Sequence, residues 1–483
     1  MLKPHAQIWT HLSRLHKDVP AWISANFSAE PSRALPGTAA AQESAPAPLA
    51  TTLPATPLRS PETGTDSQEG QTEAGSFTDQ LLIPILSECP GSKTRQALQD
   101  KGQFLARQER WDELSNLIRS SDQARRSTSC GQPKADLLAY GARSDVVNAV
   151  EHALQDRTAK PGGGQTSLGK KGSNRPKNSE NPILIEGVMA LESLRRDHPK
   201  DSYLTAIVAL AHIDIAWTWR AAASQDYTAQ ANREAQLRRC TAHFDRAAVL
   251  LAPLDDQSKS SAFLLAARCA LFAGRSADTL DVADAYAALI DQTPSNPRPM
   301  RALGVQMLPR ANGSYAALEL EARRTAARTQ EQWGAGGYTW VYFDAMALDE
   351  QACARVDPKF FLDGLQDILC ADPSQEMINL LAAYCAVSLP KREGISASAD
   401  RHRLEISKAA RWLVRSHLRE LHPLIWAHAS EGFDNNARIT SLRRFAAHGQ
   451  AKALHCIAGI YRDELDSGHR ITFSPQGVNL TPA

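Results

Sequence analysis

The side chains best suited to chemistry by type and spacing lie in RSHLRELHPLIWAH, which brings His417, Glu420, His422 and His428 close together in the chain. Imidazoles and a carboxylate at helical spacing are the raw material of a hydrolytic metal centre. The spacing misses both zinc-protease patterns. H-E-x-x-H is absent, and H-x-x-E-H would need histidine where Leu421 stands. Pro423 should end one helix or open the next. Even in an unbroken helix, His417 and His428 would sit about 16 Å apart, too far to share a metal with bonds of about 2 Å. His417 and Glu420, one turn apart, could cooperate only with a third ligand from elsewhere. That defines one functional expectation, a metal-assisted hydrolase.

A second set comes from AHIDIA and AHFDRA, which place His212/Asp214 and His243/Asp245 about one helical-repeat length apart. Residues two apart in a helix diverge by about 200°, so His212 and Asp214 cannot serve one ion. Each is expected to hydrogen-bond a different neighbouring helix, a structural polar role shared with His243 and Asp245. The stretch QWGAGGYTWVYFDAMALDE combines Gly334, Gly336 and Gly337 with Trp333, Tyr338, Trp340, Tyr342 and Phe343. It is not G-x-G-x-x-G and no Lys-Ser/Thr follows, so it does not read as a phosphate loop. The aromatic cluster reads as core or as the wall of a groove. LPRANGSY is a turn in which Arg310 could reach a partner and Ser314 caps the next helix. GFDNN is a helix stop with too few acids for a calcium loop.

These side chains need helices to hold them. From about 183 to 465 the chain is a train of Ala- and Leu-rich amphipathic segments. Pro199, Pro253, Gly274, Pro309, Pro358, Pro373, Pro390, Gly432 and Gly449 mark the breaks. Helices are expected over 402–421, 437–447 and 450–466 among others, and no run of strands is expected. Residues 77–156 form a small helical module, with KTRQALQDKGQFLARQERWDELSNLIRSSDQ reading as helix, tight turn, helix. A short amphipathic helix is expected within 1–27. Pro/Ala/Ser/Thr-rich text over 28–76 reads as a disordered linker. A flexible basic linker or insertion covers 157–182, the main helical domain 183–467 and a C-terminal tail 468–483.

Apolar residues make up 43% of the 483-residue chain, charged residues 22%, and the net charge is +1. There is no global field for polyanions or anionic membranes, and the basic 157–178 stretch has no interleaved aromatic residue for stacking on bases. Nucleic acid is therefore not expected as a partner. The apolar run Tyr203–Trp219 carries His212 and Asp214 and is too short to span a membrane. The eight cysteines contain no C-x-x-C, and those in AARCALF, DILCAD and AAYCAVSL read as buried reduced thiols. The expected location is cytoplasmic, and no cofactor is expected.

Leu98, Gly102, Leu105, Leu114 and Ile118 sit near the small and apolar positions of a tetratricopeptide repeat, and over about 30 residues the chain resembles that family. Leu114 stands where the motif usually has a small residue. SAFLLAARCALFAGRSADTLDVADAYAALIDQTPSNP is similar, with a second helix slightly longer than the repeat prescribes. AHIDIAW and RPMRALGVQMLPR resemble uncharacterised bacterial helical proteins, which implies no activity. The resemblance implies an all-α, tetratricopeptide-like stack of antiparallel helix pairs, an α-solenoid, acting as a protein- or peptide-binding scaffold. Trp217, Trp219, Arg310, Tyr338 and Trp340 are the residues expected to line its working face.

Overall fold

A computed structural model describes residues 80–86, 90–129, 131–158, 182–224, 230–390, 396–431 and 441–482. The helix expected within 1–27, the linker over 28–76, residues 159–181 of the basic segment and the GFDNN turn lie outside the described residues.

The described chain is mostly helical. Helices α1 (Pro90–Arg107), α2 (Trp111–Gln123), α3 (Lys134–Thr158), α4 (Pro182–Asp197), α5 (Ser202–Ala223) and α6 (Gln230–Leu251) come first. They are followed by α7 (Ala262–Ala270), α8 (Thr279–Gln292), α9 (Pro297–Gln306), α10 (Tyr315–Arg328) and α11 (Gly336–Leu348). The last are α12 (Pro358–Ala371), α13 (Gln375–Ala383), α14 (Ala397–Ser407), α15 (Pro423–Glu431) and α16 (Leu442–Ile460). Their starts are written locally. Asp201, Ser261, Asp278, Asn296, Ser314, Asp357, Ser374, Ser396 and Ser441 each accept a first-turn backbone N–H, which satisfies donors the helix cannot.

Two apolar cores result. The first gathers Leu105, Leu114, Ile118, Leu138, Val146, Leu204, Ile207 and Phe244. The second gathers Val282, Leu303, Trp340, Phe343, Tyr384, Trp426, Ile457 and Ile471. Helix α7 serves both: Phe263, Leu264 and Ala267 face the first, Ala262, Leu265 and Cys269 the second. Where α1 meets α3 the backbones nearly touch. A Cβ on Gly102 would lie 2.0 Å from the Leu138 carbonyl oxygen, and one on Gly141 would lie 1.9 Å from that of Gln99. Only glycine fits both sides of this crossing.

Three expectations need correction. The tail expected over 468–483 is, through residue 482, a hairpin: β2 (His469–Ser474) and β3 (Gly477–Pro482) pair antiparallel, and β1 (Leu81–Leu82) joins β2 in parallel. Alternation in HRITFS turns Ile471 and Phe473 inward, at 0% and 3% exposure, which drives the hairpin onto the core. Gly449 is not a stop either. Helix α16 runs through it, and a Cβ there would sit 2.0 Å from the Pro423 carbonyl oxygen. The glycine is needed for close approach to α15. Finally, the helix expected to reach residue 421 ends at His417, and Leu418 is extended. Among the described residues no helix is long and apolar enough to cross a membrane.

The cysteines within the described residues are free. Burial pushes the Cys269 and Cys385 thiols up to about 12 and Cys353 to about 11, so they stay protonated and inert. Cys370 departs from the expectation by being exposed.

Candidate functional site

The histidine-rich segment folds around two amides of α13. Gln375 and Asn379 lie one turn apart and face the same way. The Gln375 Nε2 donates to the His417 carbonyl at 3.0 Å, while its Oε1 accepts from the Arg419 and Glu420 N–H groups at 2.8 and 3.3 Å. Asn379 is 0% exposed. Its Nδ2 donates to the Glu420 carbonyl at 2.9 Å, and its Oδ1 accepts from the His422 N–H at 3.0 Å and the Trp426 Nε1 at 2.9 Å. A segment clamped on both sides of Leu421 cannot be helical. The Leu421 peptide groups are left pointing away from α13.

There they meet another part of the chain. The Leu421 N–H donates to the Pro84 carbonyl and the Leu86 N–H donates to the Leu421 carbonyl, both at 2.8 Å. The Ile471 N–H of β2 donates to the Gln80 carbonyl at 2.7 Å. Residues 80–86 thus form an extended strap across two backbone edges. Leu81 and Ile83 pack on the second core. Leu82 and Ile85 point outward, 45% and 43% exposed.

The metal-site candidates separate. The His422 Nε2 meets the Glu420 Oε1 at 3.0 Å, so Glu420 is engaged away from His417. The His417 ring stands edge-on to Trp412 with centroids 5.3 Å apart, and burial and then Arg419 hold its pKa down. His428 stands edge-on to Phe445, and burial, with Arg95 adding to it, pushes it down to about 4. Among the described residues, no three His, Cys, Asp or Glu side chains gather as a metal site.

His212 and Asp214 reach different helices. The His212 Nδ1 lies 2.8 Å from the His243 Nδ1 on α6, and its Nε2 lies 3.3 Å from the Glu192 Oε1 on α4. Arg246 grips Glu192 through two bonds of 2.6 Å. Only one proton fits between the two Nδ1 atoms, and a carboxylate can only accept. The assigned pattern is therefore His212 protonated on Nε2 and His243 donating from Nδ1. Arg246 holds Glu192 down to about 2. Burial, with His212 adding to it, pushes His243 down to about 4. Asp214 accepts from the Arg143 Nε on α3 at 2.6 Å, and Asp245 lies 3.6 Å from Arg275 at the surface.

The expected aromatic face does not assemble. Tyr338 and Trp340 are 0% exposed, inside the second core, because the hydroxyl of Tyr338 finds partners there: it donates to the Glu319 Oε2 at 3.0 Å and accepts from the Asp357 N–H at 2.9 Å. The indole of Trp340 packs edge-on against Trp333. Trp219 is buried in the first core beneath the Arg239 guanidinium, 4.7 Å from its ring centroid. Trp217 is half-buried against Phe244, with Arg220 over its ring, and Arg310 is half-buried in the turn after α9.

Sequence reasoning missed Gln375 and Asn379, whose i, i+4 spacing was the available signal. It also missed Asp136, on one face of α3 with Tyr140 and Arg143. Burial pushes the Asp136 carboxyl up to about 7, with Arg298 opposing and Asp122 assisting. No family model matches this sequence, and neither a curated protein nor a solved structure is similar to it.

Proposed function

We propose that the chain is a protein- or peptide-binding scaffold built as a stack of tetratricopeptide-like helix pairs. The observation that carries this reading is a recurring register between alternate helices. Tyr384 donates to the Phe343 carbonyl and Ser388 to that of Ala429, each pair 41 residues apart. The Arg301–Asp344 pair spans 43, and in the first core Gln103 meets Ser144 and Asp145 at separations of 41 and 42. A repeated offset of 41 to 43 residues is what side-by-side stacking of two-helix units generates, whereas α3 is tied to α5 at an offset of 71 and α4 to α6 at 54.

A scaffold of this kind works through its surface, needs no cofactor, and with a net charge of +1 suits a protein partner better than a polyanion. Protonated buried thiols agree with a reducing cytoplasm. The metal-assisted hydrolase has no comparable support, since Glu420 is turned to His422 and His417 to Trp412. The test is capture by immobilised full-length chain, followed by cross-link mapping. A retained protein cross-linked to outward helix faces is expected. Stoichiometric metal in the purified chain, with no protein retained above a mock control, would overturn it.

A further inference from the structure

The strap over residues 80–86 lies parallel along two separate backbone edges, β2 and the segment at Leu421. We infer that the edges formed by β2 and the Leu418–His422 segment are a peptide-binding site filled in cis by Gln80–Leu86, and that an extended apolar segment of a partner protein exchanges with it. This rests on the scaffold reading and names the chemistry of its partner.

The receiving surface is built independently of its occupant. Gln375 and Asn379 hold the peptides on either side of Leu421 from the α13 side, so the Leu421 N–H and C=O are aimed outward whether or not a strand lies there. β2 is held by its own six-residue pairing with β3, whereas β1 covers only Ile471 and Thr472 of its other edge. Backbone pairing supplies affinity in such strand addition, and alternate side chains supply selectivity. Here the selective positions are those of Leu81 and Ile83, which enter the second core, while Leu82 and Ile85 face out.

The cis occupant also fits imperfectly. The Gln80 side-chain oxygen is buried without a hydrogen-bond partner, a cost that an apolar residue at that position would remove. An external segment of the pattern apolar-Leu-Leu-Ile-Pro-Ile-Leu would therefore compete well.

The test uses the full chain with the strap weakened, as Leu81→Ser/Ile83→Ser and separately as Ile83→Ser, and a fluorescent QLLIPIL peptide. The variants should bind this peptide at least tenfold tighter than wild type does. The Leu421 and Ile471 amides, exchanging faster in the variants, should regain hydrogen-exchange protection when peptide is added. A peptide with leucine in place of the glutamine should bind several-fold tighter. The inference is overturned if a variant with unchanged helical circular dichroism binds QLLIPIL no better than a peptide with aspartate at the two inward positions. It is equally overturned if both variants lose their helical structure, because the strap would then be core rather than occupant. Failure here with capture by helix faces intact leaves the scaffold reading standing. Loss of that capture with peptide binding intact removes the helix-face scaffold instead.

Discussion

The two cores solve the same joining problem with different chemistry. In the first, helices are tied by buried or half-buried carboxylates gripped by arginine from another helix: Asp145 by Arg107, Asp214 by Arg143 and Glu192 by Arg246; Asp122 is held by Arg125 one turn away and reaches other helices through Tyr203 and Ser261. In the second, most long-range ties run from neutral side chains to backbone, through Gln375, Asn379, Thr339, Tyr384 and Ser388. Charged ties are present there too, among them Arg301–Asp344, Arg403–Glu350, Arg415–Glu464, Arg328–Asp291 and Arg323–Asp357. Charged joints respond to protons. Neutral amide joints hold one backbone geometry regardless of pH, and Gln375 and Asn379 fix the peptides on either side of Leu421 in this way.

The largest effect should follow from breaking a charged joint. Asp122 accepts from Tyr203 Oη at 3.0 Å, Ser261 Oγ at 2.7 Å, the Phe263 N–H at 3.0 Å and Arg125 Nη1 at 3.0 Å, and so links α2, α5 and the start of α7. Asp122→Ala strands these donors and should cost about 4 kcal/mol in urea unfolding; a loss under about 1 kcal/mol would mean the carboxylate is not what ties these three helices. Asn379→Ala comes next, at about 3 kcal/mol, with faster exchange of the Leu421 amide. A variant that keeps both stability and protection would show that the amide does not shape this edge.

Proton dependence sharpens the contrast. His243 titrates at about 4 when folded against 6.5 ordinarily, so the unfolded chain binds the extra proton between those values. Its contribution is complete above about 6.5 and is lost as pH falls towards 4. The loss should be on the order of 2 kcal/mol and should shrink in His243→Gln when stability is followed from pH 7 to 4.5. Asp136 has the opposite sign. Its folded value of about 7 exceeds 3.8, so stability is complete below about 3.8 and is lost as pH rises through 7. Asp136→Asn should therefore stabilise the chain at pH 8 by about 1 kcal/mol and change little at pH 4, which paired thermal melts would show. The smallest effect is reserved for His417→Ala, within about 0.5 kcal/mol, with melting indifferent to EDTA. An EDTA-sensitive wild type would break the assignment of this cluster as a structural loop.

The divergence of His212 and Asp214 was legible in advance because it follows from helix geometry alone. The helix start at Ser314 was legible for the same reason, since a cap needs only its next few residues. The cluster around Tyr338 read as core or as groove wall; what decides for the core is the satisfaction of its hydroxyl by Glu319 and by the Asp357 backbone, which no local pattern links to it. The hairpin was readable in the alternation of HRITFS, yet nothing nearby announces that Leu81, almost four hundred positions earlier, completes its sheet.

By itself the chain determined most of its helices and the caps that open them, since these depend on periodicity and on neighbours a turn away. The tertiary structure decided which histidines meet, that residues 418–422 are extended, and where a strand can be accepted. Those outcomes depend on groups such as Asn379 and Glu420, 41 positions apart, whose hydrogen bonds exist only once the helices between them have packed.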